Sequence, residues 1–79
     1  MKTYFCTFTH RSDDGEYFLI RCRDFPEAIT QSLDFGHCFS QAKDAIEEAM
    51  AGRKRLKKFM PEPSEQAIGE FGIEVSEVE

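Results

Sequence analysis

The stretch "TYFCTFTHRSDDGEYFLIRCR", residues 3–23, reads as two strands joined by a tight turn. In its first part Tyr4, Cys6, Phe8 and His10 alternate with Phe5, Thr7 and Thr9. In its last part Phe18, Ile20 and Cys22 alternate with Tyr17, Leu19 and Arg21. A period of two in aromatic, apolar and threonine residues predicts strands. Asp13-Asp14-Gly15 fits a three-residue hairpin loop in which Gly15 takes the left-handed position. That loop pairs Arg11 with Tyr17, Phe8 with Ile20 and Cys6 with Cys22, which gathers the apolar sets on one face. The other face carries Phe5, Tyr17 and Leu19 among Thr7, Thr9 and Arg21. These three are either ordinary surface apolars or an oligomer interface covered by another chain.

Downstream of the hairpin, "AITQS" (28–32) predicts a short third strand, and Asp34 reads as a helix N-cap. Phe35, Cys38, Phe39, Ala42, Ala45, Ile46, Ala49, Met50 and Leu56 then recur every three or four residues as one apolar stripe. The stripe carries a helix to about Lys58, before the prolines of "FMPEPS" stop it. "EFGIEVSEVE" alternates again through Phe71, Ile73, Val75 and Val78, a last strand. The expected fold is α+β: β-β-β-α-β, an antiparallel sheet with one long helix packed on one face. All 79 residues form a single domain. A chain this short buries only around 60 % of its unfolded surface, so a partner adds stability.

Composition narrows the function classes. The 41 % hydrophobic content and eight Phe suffice for one core. No apolar run approaches the ~20 residues of a membrane span, and "MKTYFCTFTH" lacks the apolar core of a secretion signal, which points to the cytoplasm. Cys6, Cys22 and Cys38 are an odd number without CxxC spacing, so the expectation is free thiols acting as small hydrophobes. His10 and His37 have neither a nucleophile nor a second histidine at useful spacing. Asp13 and Asp14 are turn chemistry. No catalytic residue, metal ligand or cofactor site is expected.

The net charge of −5 is unevenly spread: "RKRLKK" (53–58) holds five of the ten basic residues, leaving five against fifteen acids elsewhere, a balance of −10. Such a field repels nucleic acid and suits a basic partner. The basic run itself has two readings, a helix end whose cations complement the dipole or a nucleic-acid patch.

Between the hairpin and the third strand stands "RDFPEA" (23–28), a stiff acidic elbow. Pro26 fixes its own φ and restricts Phe25, and Asp24 and Glu27 flank them with negative charge. Asp24, Phe25, Pro26 and Glu27 are therefore the candidate partner-binding residues, with Phe25 either an exposed apolar anchor or a cap on the core.

In this order of elements, the motifs resemble the N-terminal domain of HicB-type antitoxins. Asp24-Phe25-Pro26-Glu27-Ala28 stands at that family's Asp-Leu-Pro-type tip. Thr30-Gln31-Ser32 with Leu33-Asp34 stands at its turn into the helix. "QAKDAIEEAM" (41–50) matches its helical core and Pro61-Glu62-Pro63-Ser64 its exit, so the likeness spans roughly residues 4 to 76. Ser32 replaces a frequent Gly, and Phe35-Gly36-His37 replaces a Leu-Glu-Glu opening of the helix.

The resemblance implies a partly ribonuclease-H-like topology and an antitoxin role. The partner it implies is a HicA-type toxin, a small basic mRNA-cleaving ribonuclease whose active site the domain covers. Homo-oligomers, dimers or tetramers, are implied too. Many members continue into a DNA-binding domain; here the chain ends after the last strand, so no direct DNA binding is expected. The rival readings are a nucleic-acid-binding module using 53–58 and a non-catalytic homo-oligomeric scaffold.

Overall fold

The computed structural model describes residues 2–13 and 15–76. The hairpin pairs β1 (Lys2–Arg11) with β2 (Tyr17–Cys22) in the expected register, Cys6 opposite Cys22, Phe8 opposite Ile20 and Arg11 opposite Tyr17. Gly15 sits at φ 86°, the left-handed region that a residue with a Cβ enters only at a cost. Asp14, part of the predicted loop, lies outside the described residues, as does Val78. β3 (Ile29–Ser32) adds to β2, and β4 (Phe71–Val75) returns to β1, all antiparallel, in the order β3-β2-β1-β4.

α1 (Phe35–Arg55) lies across one face of this sheet, the α+β arrangement expected from the sequence. Its buried residues, Cys38, Ala42, Ile46 and Met50, recur every fourth position, so one row of the stripe meets the core. They pack on Tyr4, Cys6, Ile20, Cys22, Ile73 and Val75, the inward row of three strands. Burying a side chain of the size of Ile46 contributes about 1.5–3 kcal/mol. At one end Phe8 stacks on Phe71 with ring centres 4.7 Å apart, and Phe35 and Phe39 meet both edge-on.

The helix starts where the sequence placed it. The Asp34 carboxylate accepts the Gly36 N–H, and its second oxygen lies 2.9 Å from His37 Nδ1. Its end differs from expectation. Lys58 N–H bonds the Arg53 carbonyl at 2.7 Å and Lys57 N–H that of Lys54 at 3.1 Å, with Lys57 at φ 57°. That is a Schellman ending with lysine in the place glycine usually takes. The helix therefore stops at Arg55, ahead of the prolines, and Leu56 swings off the stripe to 63 % exposure.

Candidate functional site

The elbow is a β-turn. Ala28 N–H donates to the Phe25 carbonyl at 2.8 Å, with Pro26 in the second position its fixed φ favours. Its four candidate residues divide sharply. Phe25 is 0 % exposed. Its ring meets Tyr4 edge-on at 4.9 Å, and the Arg53 guanidinium lies 5.0 Å above its centre. Phe25 caps the core and offers no side chain to a docking surface in this conformation. Asp24 is half-buried and accepts two hydrogen bonds from Ser64, 2.6 Å from the hydroxyl and 2.8 Å from the backbone N–H. Pro26 and Glu27 remain exposed.

The charge on Glu27 is spoken for. Arg53 donates to it twice, Nε at 2.6 Å and Nη2 at 2.9 Å, the fork geometry that suits a carboxylate. This hydrogen bonding holds the Glu27 carboxyl at about 2, against a smaller opposing effect of burial. The same guanidinium donates to the Phe59 carbonyl at 3.1 Å. An acidic tip with free charge is thus not what the fold builds: one carboxylate is clamped by a serine and the other by an arginine.

Those contacts belong to a larger set. The connection from Leu56 to Glu70 contains no helix or strand, yet it is stitched to the sheet along its length. Tyr4 donates to the Pro61 carbonyl at 2.7 Å, and Lys2 pairs with Glu62 at 3.3 Å. Arg23 reaches the Glu65 carbonyl at 3.2 Å and Glu70 at 2.6 Å. Glu70 also accepts the Ala67 N–H at 2.7 Å, the largest cause of a carboxyl pKa lowered from its ordinary value. The elbow is the anchor of this return loop.

Glu27 supplies a measurable acid dependence. Its folded pKa lies below its unfolded value of 4.5, so its contribution is whole above 4.5 and fades as pH falls towards about 2. Nearly half of the side chain is exposed, so the gain is limited to about 0.5–1 kcal/mol. Urea unfolding should show Glu27→Gln less stable than wild type at pH 7, with the gap closing between pH 4.5 and 3. A gap that is constant across that range would contradict the pairing.

Beside the elbow lies a groove of about 840 Å³ between β3 and α1. Ala45 and Ala49 on the helix, Leu56 and Phe59 beyond it, and Ala28 and Ile29 on the β3 side make its apolar lining, and Phe59 is 80 % exposed. Asp44 and Glu48 stand on the helix wall and Glu27 at the elbow end, while Arg53, Arg55 and Lys58 of the helix end line it too. β3 bounds the groove and is one edge of the sheet, paired only with β2 among the described residues. Sequence reading missed this groove, because it depends on Leu56 leaving the helix stripe and on where Phe59 falls after the helix's early end.

The other predicted surface is the open side of the sheet. Phe5, Tyr17 and Leu19 are all half-buried there. Pairing of Arg21 with Ile29 adds Ile29, 54 % exposed, to the same side. Gly72 pairs with Phe5, and a Cβ at Gly72 would meet Phe5 Cε1 at 3.4 Å and Thr3 Cγ2 at 3.1 Å. The Phe5 ring therefore lies across a bare stretch of backbone, which hides part of its surface without any partner.

Of the basic run, Arg53 is committed to Glu27, Phe25 and Phe59, while Lys57 and Lys58 lie past the helix end. Arg53, Lys54 and Arg55 occupy the last helical turn, where cations complement the dipole. No group of three or more potential metal ligands exists among the described residues, and no helix among them is long and apolar enough to cross a membrane.

A search of curated proteins gave no match. A family model described as the HicB-like antitoxin of bacterial toxin–antitoxin systems matches residues 3–78. That span includes the helix, the elbow, the stitched return loop and all of the four strands but Lys2 of β1. The chain belongs to the HicB-like antitoxin family.

Proposed function

We propose that this chain neutralises a small basic HicA-type ribonuclease by covering its active site. The family match carries the antitoxin role. The toxin's identity and the mode of inhibition are our reading, and the acidic balance of the chain outside 53–58 supports it. The docking face we assign is the elbow together with the groove. Pro26 and Glu27 form its lip, Asp24 and Phe25 hold its shape from within, and Asp44 and Glu48 supply charge for a basic partner on the helix wall, with Arg53, Arg55 and Lys58 at the basic end of the groove. Leu56 and Phe59 are the exposed apolar anchors beside them. Charged rims act mainly on association rate, and buried apolar anchors on residence time.

Charge reversal at Asp24 or Glu27 would disturb the fold itself, so the helix wall is the cleaner test. The double variant Asp44→Lys/Glu48→Lys should weaken toxin binding about tenfold, through slower association, and flatten its salt dependence. Surface plasmon resonance against a catalytically dead HicA-type toxin reads both. Unchanged association at low salt would remove the groove wall from the mechanism. A salt titration on an RNA probe tests the rival nucleic-acid reading, which requires a steep negative slope.

The open face supports a second, compatible role as the contact between copies. Phe5, Tyr17, Leu19 and Ile29 give it an apolar centre. Native mass spectrometry should find a dimer or tetramer, and Leu19→Lys should shift it to monomer while leaving the toxin affinity intact. A wild-type chain that is monomeric throughout would sink this role without touching the first.

A further inference from the structure

We infer that Cys22 and Cys6 form a peroxide-sensitive dithiol at the root of the elbow, closing reversibly to a cross-strand disulfide. The two residues face each other directly in the β1–β2 ladder and both are buried. Residues directly opposite in an antiparallel pair have Cα atoms about 4.5–5.5 Å apart. That spacing falls inside the roughly 4.4–6.8 Å that disulfides occupy, so the bond closes without parting the strands.

The chemistry around the two sulfurs is unequal. The two thiols act on each other in opposite senses, Cys6 pushed above the ordinary thiol range and Cys22 drawn below it. Interaction with the Cys6 thiol leads in lowering Cys22, with burial opposing and the following backbone assisting. The thiolate is the nucleophile in thiol oxidation, and Cys22 attacks while Cys6 resolves, because Cys22 is the nearer of the two to the surface. Cys22 also borders a surface hollow of about 350 Å³ with Arg23, Pro26 and Glu70, a route for an oxidant of peroxide size. The Cys22 thiolate attacks one peroxide oxygen, the O–O bond breaks, and protonation of the leaving oxygen releases one water and leaves a sulfenic acid. The Cys6 sulfur then displaces the sulfenic oxygen as a second water. Two thiols and one hydrogen peroxide give one disulfide and two waters.

Cys38 is the internal control. It is buried on the helix, where its thiol lies 3.6 Å from the Asp34 carbonyl, and it has no opposite cysteine. The connection to function runs along the chain. Cys22 immediately precedes Arg23 and the elbow residues Asp24 and Phe25, which hold the elbow to Ser64 and to the core.

The test uses the intact chain with stoichiometric hydrogen peroxide, followed by denaturation in an alkylating reagent and mass spectrometry. The expected product is 2 Da lighter before alkylation, keeps one reactive thiol at Cys38, and yields a linked Cys6–Cys22 peptide. Dithiothreitol restores three thiols. Three alkylatable thiols after peroxide that oxidises glutathione in the same tube would overturn the inference. So would loss of Cys38 at the rate of the other two, or linkage only between chains.

Discussion

Phe25→Ala should cost about 3–5 kcal/mol of folding stability, the range for truncating a buried phenylalanine. Domains of this length hold only about 4–12 kcal/mol in total, so most or all of the cooperative transition would vanish near 37 °C. Three losses coincide at this side chain. The ring is wholly buried, so its removal leaves a cavity where Tyr4 and the return loop meet. Tyr4 loses its edge-to-face neighbour, and its hydroxyl is the donor that holds Pro61. Arg53 loses the ring beneath its guanidinium. Phe25→Leu fills most of the volume and should cost less than half as much. Thermal unfolding followed by circular dichroism separates the cases, since each kcal/mol moves the midpoint by roughly 4–8 °C in a domain of this size. If Phe25 were a docking anchor instead, the alanine variant would keep its midpoint and lose only its partner.

What the sequence disclosed and what it withheld follow from the range of the contacts concerned. The hairpin register was legible because alternation and a glycine turn act over a few residues. Asp34 as N-cap and the row Cys38, Ala42, Ile46 and Met50 were legible for the same reason. The elbow was legible as a stiff turn but not in its role. Its acids look like presented charge until Arg53 and Ser64 arrive, 26 and 40 residues further along the chain. Within "RKRLKK" nothing marks Arg53 as the cation that turns inward. The helix end was hidden as well, because Lys57 adopts a left-handed conformation that no glycine announces. That ending is also what delivers Leu56 and Phe59 to the groove, so the docking face assigned here could not be assembled from pattern alone.

The motifs that made the chain resemble HicB-type antitoxins are, in three dimensions, two halves of one joint. Asp24 of the tip bonds Ser64 of the exit, and Tyr4 bonds Pro61 three residues before it. A tip and an exit so coupled constrain each other through folding, whichever surface meets the toxin. The elbow's stiffness then acts indirectly: it fixes the return loop and the groove lip before any partner arrives, which lowers the entropy that docking would otherwise have to overcome.

Asp24→Ala isolates that joint. The carboxylate accepts two short hydrogen bonds in a half-buried place, and bonds to a charged group are each worth about 1.5–3 kcal/mol. Their loss partly overlaps, and water reaches a half-buried site, so the expected cost is about 2–3 kcal/mol. Ser64→Ala removes the hydroxyl donor but keeps the backbone N–H, and should cost about 1 kcal/mol. The double variant should lose little more than Asp24→Ala alone, since the hydroxyl has nothing left to bond; a double-mutant cycle in urea reads the coupling directly. Native-state hydrogen exchange supplies the location. The return loop from Phe59 to Glu70 should open in Asp24→Ala at denaturant concentrations where the β1–β2 hairpin stays protected, because the hairpin's own ladder does not involve Asp24. Uniform loss of protection would mean that the joint supports the whole sheet, and an unchanged return loop would mean that Tyr4, Arg23 and Arg53 hold it without Asp24.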